Sequence, residues 1–227
     1  AGPHSLIIEW DTTKAGYHSI DYITGYNNTE SPDPCLGLDA SICTLPVNTF
    51  SIPVDPQVTT NGVTPIPGVL TLIGGTITGV GPYLYPDGPG YLGDKSAQIQ
   101  ITFTVPANVP DLILVWGGHI STREDWGFDQ SAIMIQGSPY HMRLIGLDGS
   151  GGNQDRSLSA SETQPDAAIN KICVPAYEMA EYPYYRVVVT NSGPGSVYGA
   201  KITDTLPVGA VPTGVTSANL TIGGVAS

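Results

Sequence analysis

Charge is scarce in this chain. Asp, Glu, Lys and Arg make up 12% of its 227 residues, against about 25% in an ordinary soluble domain. The shortfall falls mainly on one sign, with 8 basic against 20 acidic residues and a formal net charge of −12. Without a basic cluster to neutralise phosphates, nucleic acid is excluded as a partner, and an anionic membrane surface would repel the chain. Long apolar runs are lacking too. The longest, "DLILVWGG" from Asp111 to Gly118, is far short of the roughly 20 residues of a membrane-spanning helix. There is no initiator Met and no basic start followed by an apolar segment, the expectation for a processed mature product.

Catalytic and metal-binding signatures are also missing. The four histidines, His4, His18, His119 and His141, form no His-x-x-His or His-Glu-x-x-His pattern, and the three cysteines form no Cys-x-x-Cys. His119 in "WGGH" and His141 in "SPYHM" are the two that the fold could bring together as metal ligands. No serine sits in a Gly-x-Ser-x-Gly elbow. Glu9, Asp11, Glu124 and Asp125 are the carboxylates available for a glycosidase-like pair, the weakest of the functional readings. The chain is read as a non-enzyme.

Turn formers and β-branched residues are plentiful. With 28 Gly and 20 Pro beside 41% apolar residues, the composition suits short strands joined by many turns. "AQIQITFTVP" is the clearest strand: Ala97, Ile99, Ile101, Phe103 and Val105 alternate with Gln98, Gln100, Thr102 and Thr104, the pattern of a half-buried antiparallel strand. "HSLIIEW", "VLTLIGGTITGV", "DLILVW", "SAIMIQG" and "HMRLIGL" read as further strands, and "NTFSIPV" as an edge strand because Pro53 cannot donate to a ladder. Tyr17, Ile20, Ile23 and Tyr26 recur at helical spacing and predict a short helix. The polar run "DGSGGNQDRSLSASETQPD" predicts a hinge, with the domain boundary near Thr163. The expected architecture is all-β, with two sandwich domains over 1–163 and 164–227.

The second half carries a resemblance. "INKICVPA" and "YYRVVVTNSGPGSVYGAKITDTLPVG", with Thr190-Asn191-Ser192-Gly193 and Asp204-Thr205-Leu206-Pro207 inside the latter, resemble the conserved repeat domain (domain of unknown function 11) found in tandem in large bacterial and archaeal surface proteins. The resemblance implies an immunoglobulin-like sandwich used as a stalk or spacer. Members continue for a strand or two after a segment like "ANLTIGG", so the second domain is expected to be incomplete. The first 160 residues are similar to the domain leading such repeats, on "EWDTTKAGYHSIDYITGYN", "VWGGHI" and "GSPYHMRLIGLDGSGGNQDRS".

Several side chains are candidates for a role. Cys35 and Cys43 bracket "CLGLDASIC", a Pro- and Gly-flanked loop suited to a local disulfide, and Cys173 is left over as a buried thiol. Asp148, Ser150, Asn153 and Asp155 offer hard oxygens to a structural calcium ion, although their spacing is not that of an EF-hand. Arg123 and Trp126 in "STREDWGFDQ" form a loop that can contact a glycan or a surface protein. Asn27 and Asn219 are Asn-x-Ser/Thr glycosylation acceptors. Ser5, Leu6, Ile7, Ile8 and Trp10 form a terminal β-prone run that could fill an incomplete sandwich in another copy, giving an open homopolymer by donor-strand complementation. The leading expectation is thus an extracellular, cell-surface stalk or filament subunit; an adhesin is the alternative.

Overall fold

The computed structural model describes residues 1–27, 33–127, 129–137, 139–150, 154–158, 166–174, 184–193, 195, 197 and 200–202. In chain order the elements are β1 (Gly2–Lys14), β2 (Tyr17–His18), β3 (Ile20–Thr24), α1 (Ala40–Cys43), β4 (Val47–Ser51), α2 (Pro56–Thr60), β5 (Val69–Ile73), β6 (Thr76–Val80), β7 (Lys95–Val105), β8 (Ile113–Val115), β9 (Gly117–Ile120), α3 (Arg123–Trp126), a 3-10 turn (Ala132–Met134), β10 (Tyr140–Leu147), β11 (Gln154–Leu158), β12 (Ala167–Val174) and β13 (Tyr184–Asn191). The chain is all-β, and among the described residues every strand pairing is antiparallel. It separates into two compact units, Ala1–Ser196 and Val197–Ser227. The boundary expected near Thr163 falls outside the described residues.

The largest sheet has the order β11-β10-β1-β7-β6, with β2 turning back onto β1. The alternation read in β7 is realised: Ala97, Ile99, Ile101 and Phe103 are buried, while Gln98, Thr102 and Thr104 are half-buried and Gln100 is exposed. On β1 the same face carries Leu6, Ile8 and Trp10, placed opposite Ile101, Ile99 and Ala97. These side chains meet Ile20 and Ile23 of β3, Leu70 and Leu72 of β5, Ala132, Ile135 and Tyr140 in one core. β4 is the outer strand of the order β4-β5-β8, an edge as expected, and β3 pairs with β9.

Four expectations are corrected. The helix over Tyr17–Tyr26 is instead β2 and β3. Ile20, Asp21, Tyr22 and Ile23 are all buried, so a strand covered on both faces, with a register shift between Ile20 and Tyr22, lost its period of two and mimicked a helix. "SAIMIQG" makes the 3-10 turn rather than a strand. The polar run after Leu147 is not simply a hinge, because Gln154–Leu158 is edge strand β11 on β10. Backbone pairing needs no apolar side chains at an edge. "DGS" within that run is a tight hairpin, with positive φ at Asp148 (52°) and Gly149 (74°) and mutual hydrogen bonds between Leu147 and Ser150, as a two-residue type I′ turn requires.

The fourth correction concerns Ser5, Leu6, Ile7, Ile8 and Trp10. They lie in β1 between β7 and β10, and Ile8 and Trp10 are fully buried. Detaching this segment breaks two ladders and empties the core, so it is not a cheap donor strand. Removing residues 1–11 is expected to abolish cooperative thermal unfolding of the chain, monitored by near-UV circular dichroism. A truncated chain that melted as sharply as the intact one would show β1 to be dispensable.

The expected disulfide is present between Cys35 and Cys43, with Cα atoms 6.0 Å apart. Asp39 caps α1 by accepting from the Ser41 N–H, which brings the second cysteine back toward the first. Closing so short a loop stabilises by at most about 2.5 kcal/mol on the chain-entropy estimate. Cys35→Ser with Cys43→Ser should therefore lower denaturant-measured stability by up to that amount while leaving the circular dichroism spectrum unchanged.

Candidate functional site

Two polar constellations stand out, one on the open face of the large sheet and one at the β3–β9 pair. On the sheet, Gln98, Glu9, Arg143 and Asp155 are cross-strand neighbours over four consecutive strands. Gln98 Nε2 donates to Glu9 at 2.6 Å, and Arg143 reaches Glu9 at 3.1 Å and Asp11 at 2.7 Å. Arg143 Nε lies 3.8 Å from Asp155, which is also held by His141 at 2.8 Å. Burial works against the guanidinium charge, but the Asp11 hydrogen bonds and the charges of Asp11, Glu9 and Asp155 more than offset it and hold its proton more tightly than usual. Glu9 and Asp11 therefore share one cation instead of facing each other across a cleft.

The second constellation centres on Asp21, which is completely buried. Its position follows from "WGGH": a Cβ on Gly118 would lie 2.6 Å from Met142 Cε, and one on Gly117 would lie 3.0 Å from the Gly25 carbonyl. The backbone contact at Gly117 leaves little room for a side chain there, whereas the Gly118 contact is with the flexible end of Met142 on β10. The approach of β9 to β3 sets His119 opposite Tyr22, with the rings stacked at 4.5 Å and His119 Nδ1 at 2.7 Å from Asp21 Oδ1. From the other side, Thr122 caps α3 by accepting from the Asp125 N–H, and its hydroxyl donates to Asp125 Oδ2. The helix places Trp126 so that its indole N–H donates to Asp21 Oδ2 at 2.9 Å, while His18 stacks on the indole at 3.5 Å and Tyr91 meets both rings edge-on.

Buried charge shapes this cluster. Burial holds the His18 imidazole down to about 4. Burial also acts to lower His119, but the Asp21 hydrogen bond and the charges of Asp21 and Asp125 prevail, leaving its pKa raised. Asp55, which caps α2 and accepts from Tyr85 Oη at 2.5 Å, is raised chiefly by burial, with Asp21 adding to the effect.

The candidates read from the sequence are distributed as follows. Trp126 packs against Tyr22, Val58 and Val63 and is anchored on Asp21, so it is not a free binding aromatic; Arg123 opens the same helix. His119 and His141 do not share a ligand, since Asp21 holds one and Asp155 the other. Of the calcium candidates, Asp148 is engaged by His4 and the Ser5 N–H, Asp155 by His141 and Arg143, and Ser150 by the Leu147 carbonyl; Asn153 lies outside the described residues. These engagements draw Asp148 and Asp155 to different strands. Asn27 is exposed, and Asn219 is outside the described residues, as is the side chain of Cys173. Asp21 was missed because an acidic residue within "SIDYI" carries no motif; only a carboxylate inside an apolar run hinted at a buried role.

No family model matches the chain, no curated protein matches it significantly, and no solved structure does. Among the described residues no helix is long and apolar enough to cross a membrane.

The two histidines of the cluster give opposite pH dependences. His18 is held neutral, so its contribution is complete above the free-imidazole value of about 6.5 and is lost as pH falls toward about 4, a cost of about 3 kcal/mol. His119, with its raised pKa, contributes below the free-imidazole value and loses that contribution as pH rises through its folded pKa. Denaturant titrations should show a flatter acid limb between about pH 4 and 6.5 for His18→Phe, and for His119→Gln the loss of the fall in stability above the free-imidazole value. Parallel curves for both variants and the parent would refute the two assignments.

Proposed function

We propose that the chain is an extracellular structural module, part of a cell-surface stalk or filament, in which a rigid leading β domain is followed by an immunoglobulin-like repeat. The observation that carries this reading is the hairpin β12–β13. Its register sets Ile169 beside Val189 and Lys171 beside Val187, so Ile169, Val187 and Val189 share one face, and all three are exposed, as is Val188 on the other. Among the described residues the hairpin pairs with no further strand. An isolated two-stranded ribbon is marginal in water, and an exposed apolar face such as that of Ile169, Val187 and Val189 is what a sandwich strand presents to its partner sheet. The disulfide suits an oxidising compartment.

The carboxylates that a hydrolase would need are engaged within the fold, which supports the same reading: Glu9 and Asp11 both pair with Arg143, and Asp21 is closed in by His119 and Trp126. Assembly in this scheme uses the hairpin face and leaves β1 in place.

Sedimentation velocity and negative-stain electron microscopy of the protein from its native source test the proposal. Elongated oligomers or filaments are expected, and Val187→Lys with Val189→Lys in recombinant full-length chain should reduce association. Strictly monomeric protein that binds a defined sugar on a glycan array would overturn the structural reading in favour of an adhesin.

A further inference from the structure

The Asp21 cluster has a property that the structural role does not use. Asp21 on β3, His119 on β9 and Asp125 on α3 each offer one ligand atom, and these atoms all lie within 4.8 Å of one another. We propose that these three side chains bind a divalent transition-metal ion, with zinc as the ion their chemistry fits best.

The donor set comes first. An imidazole nitrogen with two carboxylate oxygens suits zinc and its neighbours, whereas calcium and magnesium take oxygen alone. Neutral His119 with ionised Asp21 and Asp125 balances a dication, so the filled site would carry no net charge in its half-buried setting. Bonds of about 2.0–2.2 Å in a tetrahedron put ligand atoms about 3.4 Å apart. His119 Nδ1 and Asp21 Oδ1, now 2.7 Å apart, would open slightly, with the ion replacing the proton they share. Asp125 is exposed and sits on a four-residue helix, so it has room to close inward. Its Oδ2 accepts from Thr122 Oγ1, which leaves Oδ1 for the ion.

The surroundings supply a second and independent indication. Asp21 Oδ2 is fixed by the indole N–H of Trp126, the kind of outer hydrogen bond that orients a ligating carboxylate. Asp55, within electrostatic reach of Asp21, is 1% exposed and its Oδ2 has no hydrogen-bond partner. His18, stacked on Trp126, is 8% exposed and its Nδ1 has none either. Buried carboxylates at this density are costly unless a cation offsets them. The ion would tie β3, β9 and α3 together at one point, doing for this side of the domain what the disulfide does for the loop before β4.

The test is isothermal titration of chelator-stripped full-length protein with zinc chloride, in millimolar calcium to occupy nonspecific acidic sites. One zinc per chain is expected, with cobalt giving the visible absorption of a low-symmetry site. Asp125→Asn, an exposed change that leaves the fold intact, should weaken binding by at least about tenfold, and His119→Gln should abolish it. His141→Ala, which removes a different His–Asp pair, should leave binding unchanged. The proposal is overturned if zinc does not bind saturably, if calcium displaces it, or if Asp125→Asn binds like the parent. It is equally overturned if His141→Ala loses as much affinity as His119→Gln.

Discussion

The first strand of the chain holds the domain together. β1 hydrogen-bonds to β7 along one edge and to β10 along the other, and its alternation divides the molecule's chemistry in two. Leu6, Ile8 and Trp10 enter the core, while Glu9 and Asp11 reach the open face and are gathered by Arg143. A slip of one residue would exchange these sets, placing carboxylates in the core and Trp10 in solvent. The ionic row across four strands and the apolar layer beneath it thus enforce the same register from opposite sides. In a chain with so few charges, placing several of them in one row concentrates their effect on pairing.

The Asp21 cluster follows a related logic with a different cost. A fully buried carboxylate is tolerated because an imidazole, a backbone N–H and an indole N–H all donate to it. Gly117 in β9 gives room for the approach, and a capped helical turn delivers the indole. The contributors come from two stretches, Asp21 with Tyr22 on β3 and residues 117–126 about a hundred positions later. The cluster also resolves the place of Trp126, whose ring is sandwiched among His18, Tyr91 and the small core of Tyr22, Val58 and Val63.

Strand content and the alternation of β7 were legible in the sequence because a sheet with one wet face writes its period directly into the side chains. The disulfide was legible because its loop is local. β3 was not, since burial on both faces erases the period, and β11 was not, since an edge strand can be held by its backbone alone. The type I′ turn at Asp148-Gly149 was visible as a dipeptide but was read as part of a hinge. At the candidate sites the same division holds. Asp125 and Trp126 drew attention as a loop, and His119 as a lone histidine, yet the residue that unites them, Asp21, is joined to His119 across nearly a hundred positions of chain. No spacing rule links such residues, because their proximity exists only once β3 and β9 have paired.

The placement of β1 also has a consequence for how the protein comes into being. Its partners on β7 and β10 follow it by about 90 and about 140 residues, so the sheet's middle is synthesised long before either flank. Such remote pairing makes folding slow, because the entropy of closing long loops must be met before any contact rewards it. β7 can pair with β1, and much of the core can cover its apolar face, once residue 105 has been made, but the other edge of β1 stays unpaired until Leu147 has emerged. Completion of the sheet therefore waits on the last of its strands to be made, β10 and β11, and any change that slows their pairing leaves the outer edge of β1 open.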